Sequence, residues 1–179
     1  MTKRLLIKKE GEVIQYNLIP LAIIMLLYLN SGVSGNGRGN TPSSFTCFLP
    51  ERYDLNTRGR GSWSLGLTEI CLPQVTGVKN WESIYVLCSV CQSSALGERY
   101  KPVLASLCVG EVKKQNFVRI PSVTYVPLRV NSLSEITVNI SGFNGELVKI
   151  QETNGNGEVY STTCTVDLKW MKDIDLWRP

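Results

Sequence analysis

Cys88 and Cys91, in the segment LCSVC, have the spacing of half a zinc knuckle or of a dithiol redox pair. A structural zinc site needs two further ligands at compatible spacing, and the chain has neither a second CxxC nor any histidine. A redox CxxC opens a helix, where the helix N-terminus favours the thiolate; this one instead closes an apolar run, IYVLC. The absence of histidine also removes the usual general base near neutral pH and the usual activator of a nucleophile. Glu69, Glu158 and Asp167 lie in or beside strand-like segments, with nothing in their spacing to set two of them across a cleft. The expectation is therefore of a protein that is not an enzyme, with no catalytic, cofactor-binding or metal-binding residues.

Two further patterns bear on binding. The segments GNGRGN and TRGRGS carry Arg38, Arg58 and Arg60 in flexible glycine-rich turns that could touch phosphate. They are short and lack the interleaved aromatics of a stacking platform, so solvated turns are the expected reading. Asn139-Ile140-Ser141 matches an N-glycosylation acceptor, relevant only to a secreted chain. It falls inside an expected strand, where a glycan is poorly placed.

The elements that would carry these residues read as β-structure. The 179 residues include 15 Gly and 8 Pro, with 43% hydrophobic and 19% charged residues, the profile of a turn-rich β protein. In SEITVNIS, Ile136, Val138 and Ile140 alternate with polar neighbours. In TCTVDLKW, Cys164, Val166, Leu168 and Trp170 do the same. This period of two marks strands with one buried face. GFNG and NGNG supply reversals around a short strand, ELVKIQ, which suggests an antiparallel meander. Further short runs upstream bring the expected number to about ten strands, with helix confined to a turn or two around 93–98. Cys88, Cys108 and Cys164 sit in apolar runs, where a thiol behaves as a small buried hydrophobe.

Three segments resemble the small single jelly-roll penton or minor capsid proteins of Polinton-, adintovirus- and adomavirus-type DNA viruses. In the first, MLLYLNSG through GSWSLGLTEICLPQ, the match rests on Trp63, Leu67, Glu69 and Ile70. In the second, IYVLCSVCQSSALGERYKPVLASLCVG, it rests on Tyr85, Cys88, Gly97, Tyr100 and Pro102. In the third, VTYVPLRVNSLSEITVNISGFNGELVKI, it rests on Tyr125, Pro127, Ile136, Val138, Ile140 and Gly145. The chain departs from the family where CLPQ replaces the usual aromatic and CSVC stands where an Asp is common.

The resemblance implies an all-β single jelly roll of two packed antiparallel sheets, about eight to ten strands, at 25–170. An extended basic and apolar arm, 1–24, precedes it and a tail, 171–179, follows it. It also implies a structural virion protein: a homopentamer at the fivefold vertices of an icosahedral capsid, in contact with the major capsid protein and assembled in the host-cell nucleus. Lys3, Arg4, Lys8 and Lys9 would then contact the genome or core protein weakly.

Two other readings fit the residues. A secreted or membrane-anchored, disulfide-containing β-sandwich would use MTKRLLIKK and the apolar run Leu18 to Leu29 as a signal or anchor. That run is short of the ~20 residues a spanning helix needs, and Pro20 interrupts a helix there, so YNLIPLAII is expected to be an extended arm, while the resemblance implies that MLLYLNSG, from Met25, is the first jelly-roll strand. A nucleic-acid-binding β-barrel would draw on the net charge of +4 and the Gly-Arg turns.

Overall fold

The computed structural model describes residues 4–9, 12–17, 24–32, 39–55, 61–79, 82–96, 98–114, 116–153, 156–157 and 159–172. Strands dominate it. They are β1 (Arg4–Lys9), β2 (Glu12–Asn17), β3 (Ile24–Asn30), β4 (Ser44–Asp54), β5 (Gly61–Cys71), β6 (Val75–Thr76), β7 (Ser83–Cys88), β8 (Ser94–Leu96), β9 (Arg99–Lys101) and β10 (Val103–Cys108). After one short helix, α1 (Val109–Lys114), come β11 (Phe117–Arg119), β12 (Tyr125–Pro127), β13 (Ser132–Ser141), β14 (Lys149–Ile150) and β15 (Thr163–Lys172).

Two antiparallel sheets form the body, one in the order β3-β15-β5-β11 and the other β4-β13-β7-β10. β12 continues the β11 edge by pairing with β5 further along. Counting β11 and β12 as one interrupted strand, the body strands alternate between sheets except for the fourth and fifth, β7 and β10, which pair in one. The first, eighth, third and sixth along the chain make one sheet; the second, seventh, fourth and fifth make the other. That order is the jelly roll, and the expected fold class holds.

Alternation explains the core. In β4, Phe45 and Cys47 point inward; in β13, Ile136, Val138 and Ile140 do so; in β15, Cys164, Val166 and Leu168. They meet Leu65, Leu67 and Ile70 of β5 and Ile84 and Val86 of β7 in one continuous cluster. The outward face of the second sheet is tied by polar cross-strand pairs instead. The Thr46 and Thr137 hydroxyls lie 2.9 Å apart, and Ser44 Oγ donates to Asn139 Oδ1 at 2.7 Å.

Three expectations need correction. The stretch around 93–98 is not helical: β8 pairs with β9 as a small hairpin, Ala95 opposite Tyr100. That segment offers no i, i+3 apolar pair to hold a helix on the body. Val109 and Val112 do, both buried, and the helix forms there. The meander also fails. ELVKIQ touches β13 only through the Leu147–Ser141 bridge and then pairs with β6, while β13 and β15 belong to different sheets. Two strands of equally clear alternation can lie in opposite layers, because each needs only one buried face. Finally, the N-terminal arm is not a single extended segment: β1 and β2 pair with each other as a two-stranded ribbon.

Candidate assembly surface

The residues with chemical potential are mostly consumed by the fold. Cys91 N–H donates to the Cys88 carbonyl at 3.1 Å, so CSVC is a tight turn at the end of β7, with both thiols fully buried. A hydrogen bond shared between the two thiols, together with burial, holds Cys91 well above the ordinary thiol range, while the same bond draws Cys88 down. Cys164 is also pushed up, chiefly by burial and then by the neighbouring Cys47, Cys88 and Cys71. Cys47, Cys71, Cys88, Cys91 and Cys164 are free thiols. Among the described residues no group of three or more His, Cys, Asp or Glu side chains could hold a metal ion.

The carboxylates lie on the outer face of the β3-β15-β5-β11 sheet, each with its own neighbour. Glu69 is bridged by Arg119 at 2.8 Å. Asp167 accepts from the Tyr125 hydroxyl at 3.1 Å. Arg38, Arg58, Arg60 and Glu158 lie outside the described residues, as do Lys3, Gly97, residues 18–23 and 173–179. Arg4, Lys8 and Lys9 fall in β1. The Asn139 amide sits within the central strand β13, held by Ser44.

A cleft of about 720 Å³ opens at one end of the sandwich beside β6 and α1, lined by Leu72, Val75 and Val112 with Gln74 and Asn116. Among the described residues that line it, the titratable groups are the Cys71 thiol and the Tyr160 phenol. Among the described residues, no helix is long and apolar enough to cross a membrane.

What remains is a surface. On β3, Leu27 and Leu29 are buried, while Leu26 and Tyr28 on the other face are 51% and 77% exposed. Leu26 begins a row that crosses the sheet: Leu26 opposite Asp167, Asp167 opposite Gly66, Gly66 opposite Tyr125. Tyr125 and Val123 cover the far part of this face by lying over Gly66, and Lys169 Nζ stands 5.0 Å from the Tyr125 ring centre. The near part, at β3, has no such cover among the described residues.

β3 also ends its sheet, pairing only with β15 among the described residues. β4 ends the other sheet on the same flank, where Cys47 Sγ donates to the Asn30 carbonyl at 3.5 Å. Phe48 of β4 adds a 54% exposed ring. The two edges differ in chemistry. β4 carries Pro50, Glu51, Arg52 and Asp54, which discourage pairing with another chain. β3 reads IMLLYLN, without a charge or proline.

Leu26, Tyr28 and Phe48 were not singled out by sequence reasoning. A signal was present: a strand apolar on both faces is normally covered on both, and IMLLYLN is apolar at every position before Asn30. Neither a scan against protein-family models nor a search of curated proteins finds a match to this chain.

Proposed function

We propose that this chain is a structural virion protein, a penton or minor capsid protein that assembles as a homopentamer at the fivefold vertices of an icosahedral capsid. The observation that carries the reading is the undefended flank of a jelly roll. An apolar edge strand, β3, has its outer side chains Leu26 and Tyr28 exposed, and Phe48 is exposed on the outer face of the other sheet's edge strand, β4. A jelly roll hosts many functions, so the fold contributes through the family resemblance while the flank contributes a physical reason to assemble. Apolar surface left open on an edge is what an interface uses.

In a closed ring each subunit meets two neighbours through different surfaces. The β3–β4 flank is one of them in this reading, and the remaining loops and edges meet the major capsid protein. The register of the N-terminal ribbon puts Arg4 opposite Asn17 and Lys8 opposite Val13. In this reading Lys3, Arg4, Lys8 and Lys9 would contact genome or core protein on the inner side of the shell. The chemistry asked of the protein is burial and pairing, with no enzymatic step, cofactor or metal.

Native mass spectrometry of the purified full chain tests the proposal. Five copies per particle is the expected result. A monomer at every accessible concentration, or a closed ring of another number, overturns it.

A further inference from the structure

The turn at 88–91 does more than reverse the chain: it joins the two sheets at one end of the sandwich. β7, which it ends, belongs to the second sheet, where Ser89 N–H donates to the Thr137 carbonyl of β13 at 2.9 Å. The other half of the turn meets the segment that follows β12, in the first sheet. Gln92 N–H donates to the Pro127 carbonyl at 2.8 Å, Arg129 N–H donates to the Val90 carbonyl at 2.9 Å, and Cys91 bridges to Leu128. Leu128 N–H in turn donates to the Trp63 carbonyl of β5 at 2.8 Å. Backbone hydrogen bonds thus run from β13 through this turn to β5.

The thiols at the two ends of the turn are hydrogen-bonded to each other and have no exposure to solvent. A reverse turn brings its first and fourth Cα atoms within about 7 Å, and a disulfide spans roughly 4.4–6.8 Å between Cα atoms. Here the turn is closed by the 3.1 Å hydrogen bond from Cys91 N–H to the Cys88 carbonyl, which sets the pair within the range a bridge needs.

We propose that Cys88 and Cys91 form a disulfide when the chain meets an oxidising disulfide of the glutathione type, turning a hydrogen-bonded clasp between the sheets into a covalent one. The Cys88 thiolate attacks one sulfur of the oxidant and expels the other; the Cys91 sulfur then attacks Cys88 and expels the second. One disulfide breaks, one forms, and the two protein thiol protons end on the two thiols released. Cys88 is the attacking member because the hydrogen bond from Cys91 favours its thiolate. In the mixed disulfide Cys88 carries no charge for that bond to stabilise, so the largest cause holding the Cys91 proton is gone.

Burial sets the kinetics. An oxidant reaches the pair only when the turn opens or before the sandwich closes, which separates this clasp from the accessible centre of a catalytic CxxC. The finished bridge is shielded from reducing thiols for the same reason. This inference goes beyond the assembly reading and holds whether or not the chain forms a vertex.

The test equilibrates the full chain, purified reduced, in buffers of graded oxidised-to-reduced glutathione, with urea just below the unfolding transition to speed opening. The protein is then alkylated in denaturant and mapped. In the oxidising buffers the peptide holding both residues is expected to escape alkylation and to weigh two hydrogens less than its reduced form. After removal of urea the melting temperature should stand a few degrees above that of the reduced chain. Alkylation of both Cys88 and Cys91 after the most oxidising buffer overturns the proposal, as does a bridge from either of them to Cys47 or Cys164. A bridge that leaves the melting temperature unchanged overturns its role as a clasp. Cys91→Ala should abolish the redox dependence of melting, and full dependence in that variant assigns it to another pair. If Cys91→Ala does not fold, the map of the unaltered chain decides alone.

Discussion

The Tyr125 hydroxyl donates to Asp167 Oδ2 at 3.1 Å across a sheet position occupied by Gly66. Three strands meet there, and the pair fastens the interrupted β11–β12 edge to the centre of the sheet. Removal from water, and secondarily the hydrogen bond and charge of Asp167, raise the Tyr125 phenol above its ordinary value. Its folded pKa exceeds its unfolded one. The contribution to stability is thus complete below the unfolded value of about 10 and is lost as pH rises through the folded pKa. An absorbance titration, with Tyr125→Phe to assign the signal, should show Tyr125 ionising late and Asp167→Asn bringing it earlier. Identical titrations in wild type and Asp167→Asn would refute the assignment of the second cause.

Gly66 is required by the same crossing. A Cβ at this position would lie 2.5 Å from Val123 Cγ1 and 3.0 Å from Tyr125 Cδ1. Gly66→Ala therefore either pushes the 123–125 segment off the sheet or strains β5, at a cost of about 1–3 kcal/mol by analogy with overpacked cores. Denaturant unfolding would measure it. Val123→Ala removes the nearer obstacle, so the double variant should recover part of the loss. Strict additivity of the two substitutions would place the strain elsewhere.

The sequence shows the jelly roll's strands more clearly than their partners. Ile136, Val138 and Ile140 declare a buried face by alternation alone, and so do Cys164, Val166 and Leu168. Yet a period of two states only that a face is buried, not which sheet buries it. For that reason ELVKIQ was misplaced beside both strands. The helix at Val109–Lys114 was hidden because one turn offers two apolar positions, which a strand reading absorbs equally well. The assembly flank was readable only in outline. Apolar character at every position of β3 before Asn30 shows that both faces want cover, but the pairing of β3 at the end of its sheet is a long-range fact.

The cysteines should sort by position rather than by sequence context. Cys108 is exposed and Cys71 half-buried, while Cys47, Cys88, Cys91 and Cys164 are buried. A thiolate is the reactive species; burial holds Cys47 and Cys164 protonated beyond the ordinary range, and the hydrogen bond with Cys88, then burial, does the same for Cys91. A maleimide probe on the native protein at neutral pH should therefore label Cys108 first and Cys71 more slowly. The other four should react on the timescale of unfolding. Peptide mapping reads the order directly, and rapid native labelling at Cys88 or Cys91 would contradict the buried turn.

Phe45 and Phe48, three residues apart in β4, separate stability from assembly. Phe45 is among the largest fully buried side chains, and Phe48 is 54% exposed on the opposite face. Phe45→Ala opens a cavity between the two sheets and should cost about 3–5 kcal/mol. Phe48→Ala removes no core contact, so its effect on isolated folding should stay within about 0.5 kcal/mol. If the β3–β4 flank joins subunits, however, Phe48→Ala shifts the association equilibrium while the monomer's unfolding curve stays put. Concentration-dependent sedimentation alongside denaturant melts distinguishes the two. Loss of stability with no change in association at Phe48 would move the ring out of the interface and return it to the fold.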